Sequence, residues 1–191
     1  MKNMNIKITS DSTCDLSAEQ LQQHNIQLLP LCISMGDKLL RDGVEITPDD
    51  IYAHVDAGGD ICTTSALNFT DYSDCFTPLS QEYDAVIHIN ISAEFSSCYQ
   101  NAVLASQEFD NVYVVDSRNL STGHGHVVLR AAELAESGMD VKDIVAELNN
   151  FTAKVDASFI LSRLDYMKKG GRCSSVVALG ANLLHLRPRI E

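Results

Sequence analysis

Hydroxyl side chains crowd four short segments of this 191-residue sequence: Ser10, Ser12 and Thr13; Thr63, Thr64 and Ser65; Ser92, Ser96 and Ser97; and Ser117, Ser121 and Thr122. Three of the four follow directly on stretches that read as β-strands, at residues 10–13, 92–97 and 116–121. A serine or threonine in such a place ordinarily caps the next helix. Several of them converging on one sheet edge suit a single small anion such as a carboxylate, because hydroxyls and helix N-terminal amides both donate hydrogen bonds to it. A grip of that kind contains no base, and it fits recognition better than turnover.

The sequence patterns of common catalytic and metal sites are missing. There is no G-x-x-x-x-G-K-[ST] loop and no serine in a G-x-S-x-G elbow. Gly123-His124-Gly125 opens a G-x-G-x-x-G, but Val128 stands where the last glycine belongs. His124 and His126, two residues apart, diverge on a helix and point oppositely on a strand, so they read as polar loop or cap rather than a metal pair. His88, inside an apolar strand, reads as a satisfied core histidine, and His24, His54 and His185 fall in no pattern. The six cysteines are scattered without a C-x-x-C pair, which argues against structural zinc and a disulfide framework. No catalytic residue, metal or cofactor is therefore expected.

The elements that would position these loops alternate between strand and helix. Residues 6–9, 26–33, 85–91, 111–115 and 157–161 read as strands, with a short one after the turn at 35–38. Helices are predicted after Asp15 or Ser17 as cap, after Thr47-Pro48, after Asn68 paired with Asp71, through Tyr99 and Ala102, over 126–137, over 140–150 and over 163–169. Cys62-Thr63-Thr64-Ser65 reads as a polar loop. The alternation predicts an α/β fold with a largely parallel sheet flanked by helices, and ligands then belong at the carboxyl ends of the strands.

The formal net charge is −12, unevenly placed: residues 1–150 carry 7 Lys and Arg against 23 Asp and Glu, and residues 151–191 carry 7 against 3. That balance excludes a general nucleic-acid binder, while leaving a small basic patch near the C-terminus for an anionic group or acidic partner. No apolar run is long enough for a membrane helix, and residues 1–6 carry no apolar export signal, so the expected location is cytoplasmic.

Six segments in order then resemble one family. Residues 8–16 are similar to the strand and S-D-S-T-x-D-L turn that open DegV family proteins, and residues 40–47 to Y-x-D-G-x-x-I-x. Thr64-Ser65 sits where members carry T-S-Q-P-S, with Ala66-Leu67-Asn68 in place of the last three residues. Residues 91–102 resemble I-S-S-x-L-S-G-T-Y-Q-S-A, with Phe95-Ser96-Ser97-Cys98 replacing L-S-G-T. Residues 115–125 resemble V-D-S-x-x-x-S-x-G-x-G, and residues 168–172 match K-G-G-R, followed by Cys173 where an aliphatic residue is usual.

The resemblance implies a bacterial protein that binds a long-chain fatty acid and presents it to a separate fatty acid kinase, with no catalysis of its own. It implies that Thr64 and Ser96 hold the fatty-acid carboxylate, with Ser65 and Ser97 beside them. Arg172 would steady the acyl phosphate or contact the kinase. It further implies an N-terminal domain over 1–154 and the start of an incomplete second α/β domain over 155–191, because residues 183–191 resemble a strand opening at which typical members continue for roughly another third. Two other readings stand beside this one. One is a regulatory or interaction module with a vestigial pocket. The other is a serine-dependent hydrolase using Ser96 or Ser12, with His88 or His124 as base.

Overall fold

The computed structural model describes residues 4–162, 164–174, 187, 189 and 190. Along the chain run β1 (Ile6–Asp11), α1 (Ala18–Gln23), β2 (Gln27–Leu29), β3 (Cys32–Met35), β4 (Lys38–Arg41), α2 (Pro48–Asp56), β5 (Thr63–Ser65), α3 (Phe69–Glu82) and β6 (Ala85–Asn90). They continue with α4 (Cys98–Ser106), β7 (Val112–Asp116), α5 (Ser121–Glu136), α6 (Val141–Thr152), β8 (Phe159–Ile160), α7 (Asp165–Lys169) and β9 (Arg189–Ile190). The strand opening expected over 183–191 lies outside the described residues except at 187, 189 and 190, and so do His185 and the Arg163 start of a helix.

The chain divides into two compact units: residues Met1–Leu29 with Ala66–Val155, and residues Pro30–Ser65 with Asp156–Glu191. This interleaved division differs from a single linear boundary at 154/155, because residues 30–65 leave the first unit and the chain returns to it at Ala66. The expected strand over 26–33 is accordingly two strands in two sheets. Pro30 has no amide proton to continue a ladder; β2 ends at Leu29, and β3 begins at Cys32 in the other unit.

The first unit holds a four-stranded, wholly parallel sheet in the order β2-β1-β6-β7. All six residues of β6 are buried, which explains its almost unbroken apolar run: a central parallel strand is covered on both faces. The two faces carry different residues, as the period of two requires. Ala85, Ile87 and Ile89 join Ile8, Val115 and the buried faces of α5 and α6 in one apolar cluster. His88 packs edge-on against the Tyr72 and Phe76 rings of α3, at 5.3 and 5.5 Å between centroids.

Helix starts follow local chemistry. Ser17, Thr47 and Asn68 each close a capping box, with Gln20, Asp50 and Asp71 respectively reaching back to the cap amide, and Asp140 caps α6. The second unit contains the three-stranded antiparallel sheet β4-β3-β5, the pair β8-β9, and helices α2 and α7. Residues 63–65, expected as loop, form an edge strand, because pairing of Ile33 with Thr64 and of Cys32 with Ser65 supplies backbone partners that sequence alone does not reveal.

Candidate functional site

The order of the parallel sheet reverses between β1 and β6, and such a switch point opens a crevice beyond the carboxyl ends of its strands. The loops after β1, β6 and β7 all lie at this edge, as the sequence suggested. Three of the four non-glycine residues with left-handed backbone among the described residues are here as well: Asp15, Arg118 and Ser121, with φ of 50°, 53° and 53°. Each costs about 1–3 kcal/mol and persists only where surrounding contacts offset that cost, so this edge is held in shape by other contacts.

Asp11, the last residue of β1, supplies many of them. It is fully buried. Its Oδ1 accepts the Thr13 amide at 3.0 Å and the Thr13 hydroxyl at 2.6 Å, and its Oδ2 accepts the Ile91 amide at 2.7 Å from across the switch point. The Thr13 proton is thereby committed to Asp11. The same Thr13 oxygen lies 3.2 Å from His124 Nδ1. On the other side of the ring, Nε2 lies 3.0 Å from Ser10 Oγ and 3.3 Å from the Ile89 carbonyl, while Ser10 Oγ donates to the Asp11 carbonyl at 3.2 Å. Burial pushes the His124 pKa down, against the opposing pull of Asp11, so the ring is neutral. Ser10 and His124 do form a hydroxyl–imidazole pair, but both are completely buried. The serine facing this ring is Ser10, not the Ser96 or Ser12 that a hydrolase reading invokes.

His88 is the second buried imidazole. Its Nδ1 lies 2.8 Å from Thr9 Oγ1, while its Nε2 has no hydrogen-bond partner among the described residues. The expectation of a satisfied core histidine therefore holds for one nitrogen only. Burial pushes its pKa down to about 4; Asp11 opposes the shift and His124 adds to it.

Helix α5 begins at Ser121, five residues before its predicted start, and Gly125 within it serves close packing rather than a loop. A Cβ on Gly125 would stand 2.5 Å from the Cys14 carbonyl oxygen and 3.1 Å from Leu16 Cδ2. Gly125→Ala is expected to destabilise the protein by about 1–3 kcal/mol through this overpacking, even though alanine favours helix by about 1 kcal/mol. Urea unfolding followed by circular dichroism measures the difference.

The loop after β6 is saturated with internal hydrogen bonds. Its amides from Ile91 to Ser96 donate in turn to Asp11 Oδ2, the Asn119 carbonyl, Asp116 Oδ1, Ser92 Oγ and, from both Phe95 and Ser96, the Ser92 carbonyl. Three of these six amides are thus taken by neighbouring elements and three by Ser92 within the loop, so an anion bound at this stretch would draw on side-chain hydroxyls. Ser96 is half-buried and its Oγ accepts the Cys98 amide at 3.2 Å, fixing the start of α4; Ser97 beside it is exposed. In the second unit, Thr64 and Ser65 are exposed on β5. Arg172, also exposed, follows α7 and donates to the Gly170 carbonyl. The five residues singled out thus fall in two units, Ser96 and Ser97 in one, Thr64, Ser65 and Arg172 in the other.

Sequence reasoning passed over Asp11, Asp116 and His124 as organisers of this edge. A signal existed: the dipeptide Asp-Ser ends both β1 and β7, as Asp11-Ser12 and Asp116-Ser117. A carboxylate at a strand end can reach the amide two residues on, and both do. Among the described residues no cluster of His, Cys, Asp and Glu is arranged to hold a metal ion, and no helix is long and apolar enough to cross a membrane.

The family model described as "Uncharacterised protein, DegV family" matches residues 5–191. The chain belongs to the DegV family. A DegV domain-containing protein of Clostridium perfringens is 34% identical over 184 residues, covering 95% of this chain and 66% of its own length. One from Clostridium acetobutylicum is 34% identical over 188 residues, covering 97% and 67%. The chain thus spans about two thirds of the length of these DegV relatives. Among solved structures, a fatty-acid-binding DegV family protein of Thermus thermophilus superposes with a TM-score of 0.85 at 34% identity, over 97% of this chain and 67% of that one. DegV of Bacillus subtilis, described as a fatty acid binding protein, gives 0.85 at 31% identity with the same coverage. A stearic-acid-binding protein of Eubacterium ventriosum gives 0.77 at 30% identity, over 93% of this chain and 63% of that one. The α/β fold with its parallel sheet flanked by helices is that of the DegV structures.

Proposed function

We propose that this DegV chain binds a long-chain fatty acid, with the carboxylate held by the hydroxyls of Thr64 and Ser96 and assisted by Ser65 and Ser97. The observation that carries this reading is that three similar structures at 30–34% identity, two of them described as DegV proteins, are described as binding fatty acids, while this chain keeps threonine and serine at both head-group motifs. The amide economy of the 91–96 loop supports a hydroxyl grip. The acyl chain then supplies most of the affinity, at about 0.8 kcal/mol per buried methylene, and each head-group hydrogen bond adds about 1–3 kcal/mol.

We further propose presentation of the bound acid to a separate fatty acid kinase, with exposed Arg172 as a contact for the acyl phosphate or the kinase. Support for that step is chemical: a guanidinium pairs well with phosphate oxygens, and residues 151–191 are net basic in an otherwise acidic chain.

Solvent extraction and mass spectrometry of the purified protein are expected to recover a C16–C18 fatty acid, and Thr64→Ala combined with Ser96→Ala is expected to lose it. Stoichiometric lipid surviving in the double variant would reject these residues as the head-group site.

A further inference from the structure

We infer that Asp116 and Asp11 are positioning residues for the head-group loop, holding it from the two strands that flank β6. This rests on the fatty-acid reading only in what the loop is for; the clamp itself stands on geometry. Three consecutive amides leave β6, and each is taken by a neighbouring element. Ile91 donates to Asp11 at the end of β1, Ser92 to the Asn119 carbonyl at 2.9 Å, and Ala93 to Asp116 at the end of β7. The acceptors at the two ends of this row are carboxylates, which hold an amide more firmly than a carbonyl does.

Asp116 works in two directions. The same Oδ1 that accepts Ala93 at 3.2 Å accepts the Arg118 amide at 2.9 Å, stabilising the left-handed backbone at Arg118. That turn in turn sets the Asn119 carbonyl, whose position is fixed further by Ser117 Oγ donating to it at 2.9 Å. The β7–α5 turn and the 91–93 amides are therefore one hydrogen-bonded body. Ser92, buried at its centre, passes the constraint on: its carbonyl accepts the Phe95 and Ser96 amides at 3.0 and 3.2 Å. Asp116 touches no proposed ligand atom and acts on Ser96 through this chain of bonds.

The test uses the full chain, palmitic acid as probe, and four proteins: wild type, Asp116→Ala, Asp116→Asn and Leu148→Ala. Palmitate affinity is read by titration calorimetry, and amide exchange of residues 91–93 by NMR in the ligand-free state. Asp116→Ala is expected to weaken palmitate about tenfold, the equivalent of one lost charged hydrogen bond, and to speed exchange at Ala93. Asp116→Asn, whose neutral side-chain oxygen still accepts from Ala93 but less firmly, is expected to weaken palmitate by only about threefold. Leu148→Ala, a core truncation in α6, lowers stability without lowering affinity, and so separates positioning from general destabilisation. Unchanged affinity in Asp116→Ala overturns the inference, as does equal weakening in both Asp116 variants. Wild type that fails to bind palmitate overturns the fatty-acid reading and the head-group role together. The clamp is then judged by exchange alone, and unchanged protection of Ala93 in Asp116→Ala refutes it.

Discussion

Asp11→Ala is expected to cost about 3–5 kcal/mol of folding stability, a large share of the 5–15 kcal/mol typical of a domain. The carboxylate is wholly buried and accepts three hydrogen bonds, from the Thr13 amide, the Thr13 hydroxyl and the Ile91 amide. Alanine leaves two backbone amides and a hydroxyl facing a void. A buried donor left without an acceptor costs its full desolvation, about 1–3 kcal/mol each. The substitution also removes a side chain that bonds both the turn after β1 and the first amide of the 91–97 loop. Asp11→Asn is expected to lose less, because its oxygen can serve one side while its NH2 group opposes a donor on the other. Denaturant unfolding of both variants checks the order; an alanine variant within 1 kcal/mol of wild type would show that water replaces the carboxylate freely.

The second large effect is a loss of stability in mild acid. His88 is neutral in the fold, with its pKa pushed down to about 4 by burial from an ordinary 6.5. Unfolding restores the ordinary value, so between these limits the unfolded chain binds a proton that the folded chain refuses. Stability is therefore full above about pH 6.5 and falls as the pH drops toward 4, by about 3 kcal/mol from this residue alone. His124, shifted in the same direction by burial, adds to the slope. Unfolding free energies measured at intervals from pH 7.5 to 4 are expected to trace this decline. His88→Asn, which can still meet Thr9, is expected to flatten the curve even though its stability at neutral pH is lower. An unaltered pH slope in that variant would show that His88 is not the group responsible.

The lesson for reading such sequences differs between local and long-range features. Helix starts were legible because a capping box spans only four residues: Ser17 with Gln20, Thr47 with Asp50 and Asn68 with Asp71 satisfy each other's backbone without distant help. The central strand was legible because burial on both faces leaves no polar alternation to disguise it. Residues 63–65 were read as loop because three hydroxyl residues carry no period; the ladder with β3 makes them a strand. The glycines at 123 and 125 suggested a loop for the same reason. The role of Gly125 in α5 depends on the Cys14 carbonyl oxygen, more than a hundred residues earlier in the chain.

The sequence by itself determined the family, the α/β class, the placing of hydroxyl-bearing loops at the carboxyl edge of the parallel sheet, and the choice of Thr64, Ser65, Ser96, Ser97 and Arg172 as residues to test. These follow from local patterns, motif order and the rule that parallel strands aim their loops at one edge. Only the tertiary structure decided that residues 30–65 form a separate unit with the C-terminal segment. The same is true of the Asp11 and Asp116 carboxylates that secure the 91–93 amides, and of the two neutral histidines that lie beneath that edge. Each of these depends on groups distant in sequence meeting where water is excluded, and a buried polar atom's partner cannot be read from its neighbours in the chain.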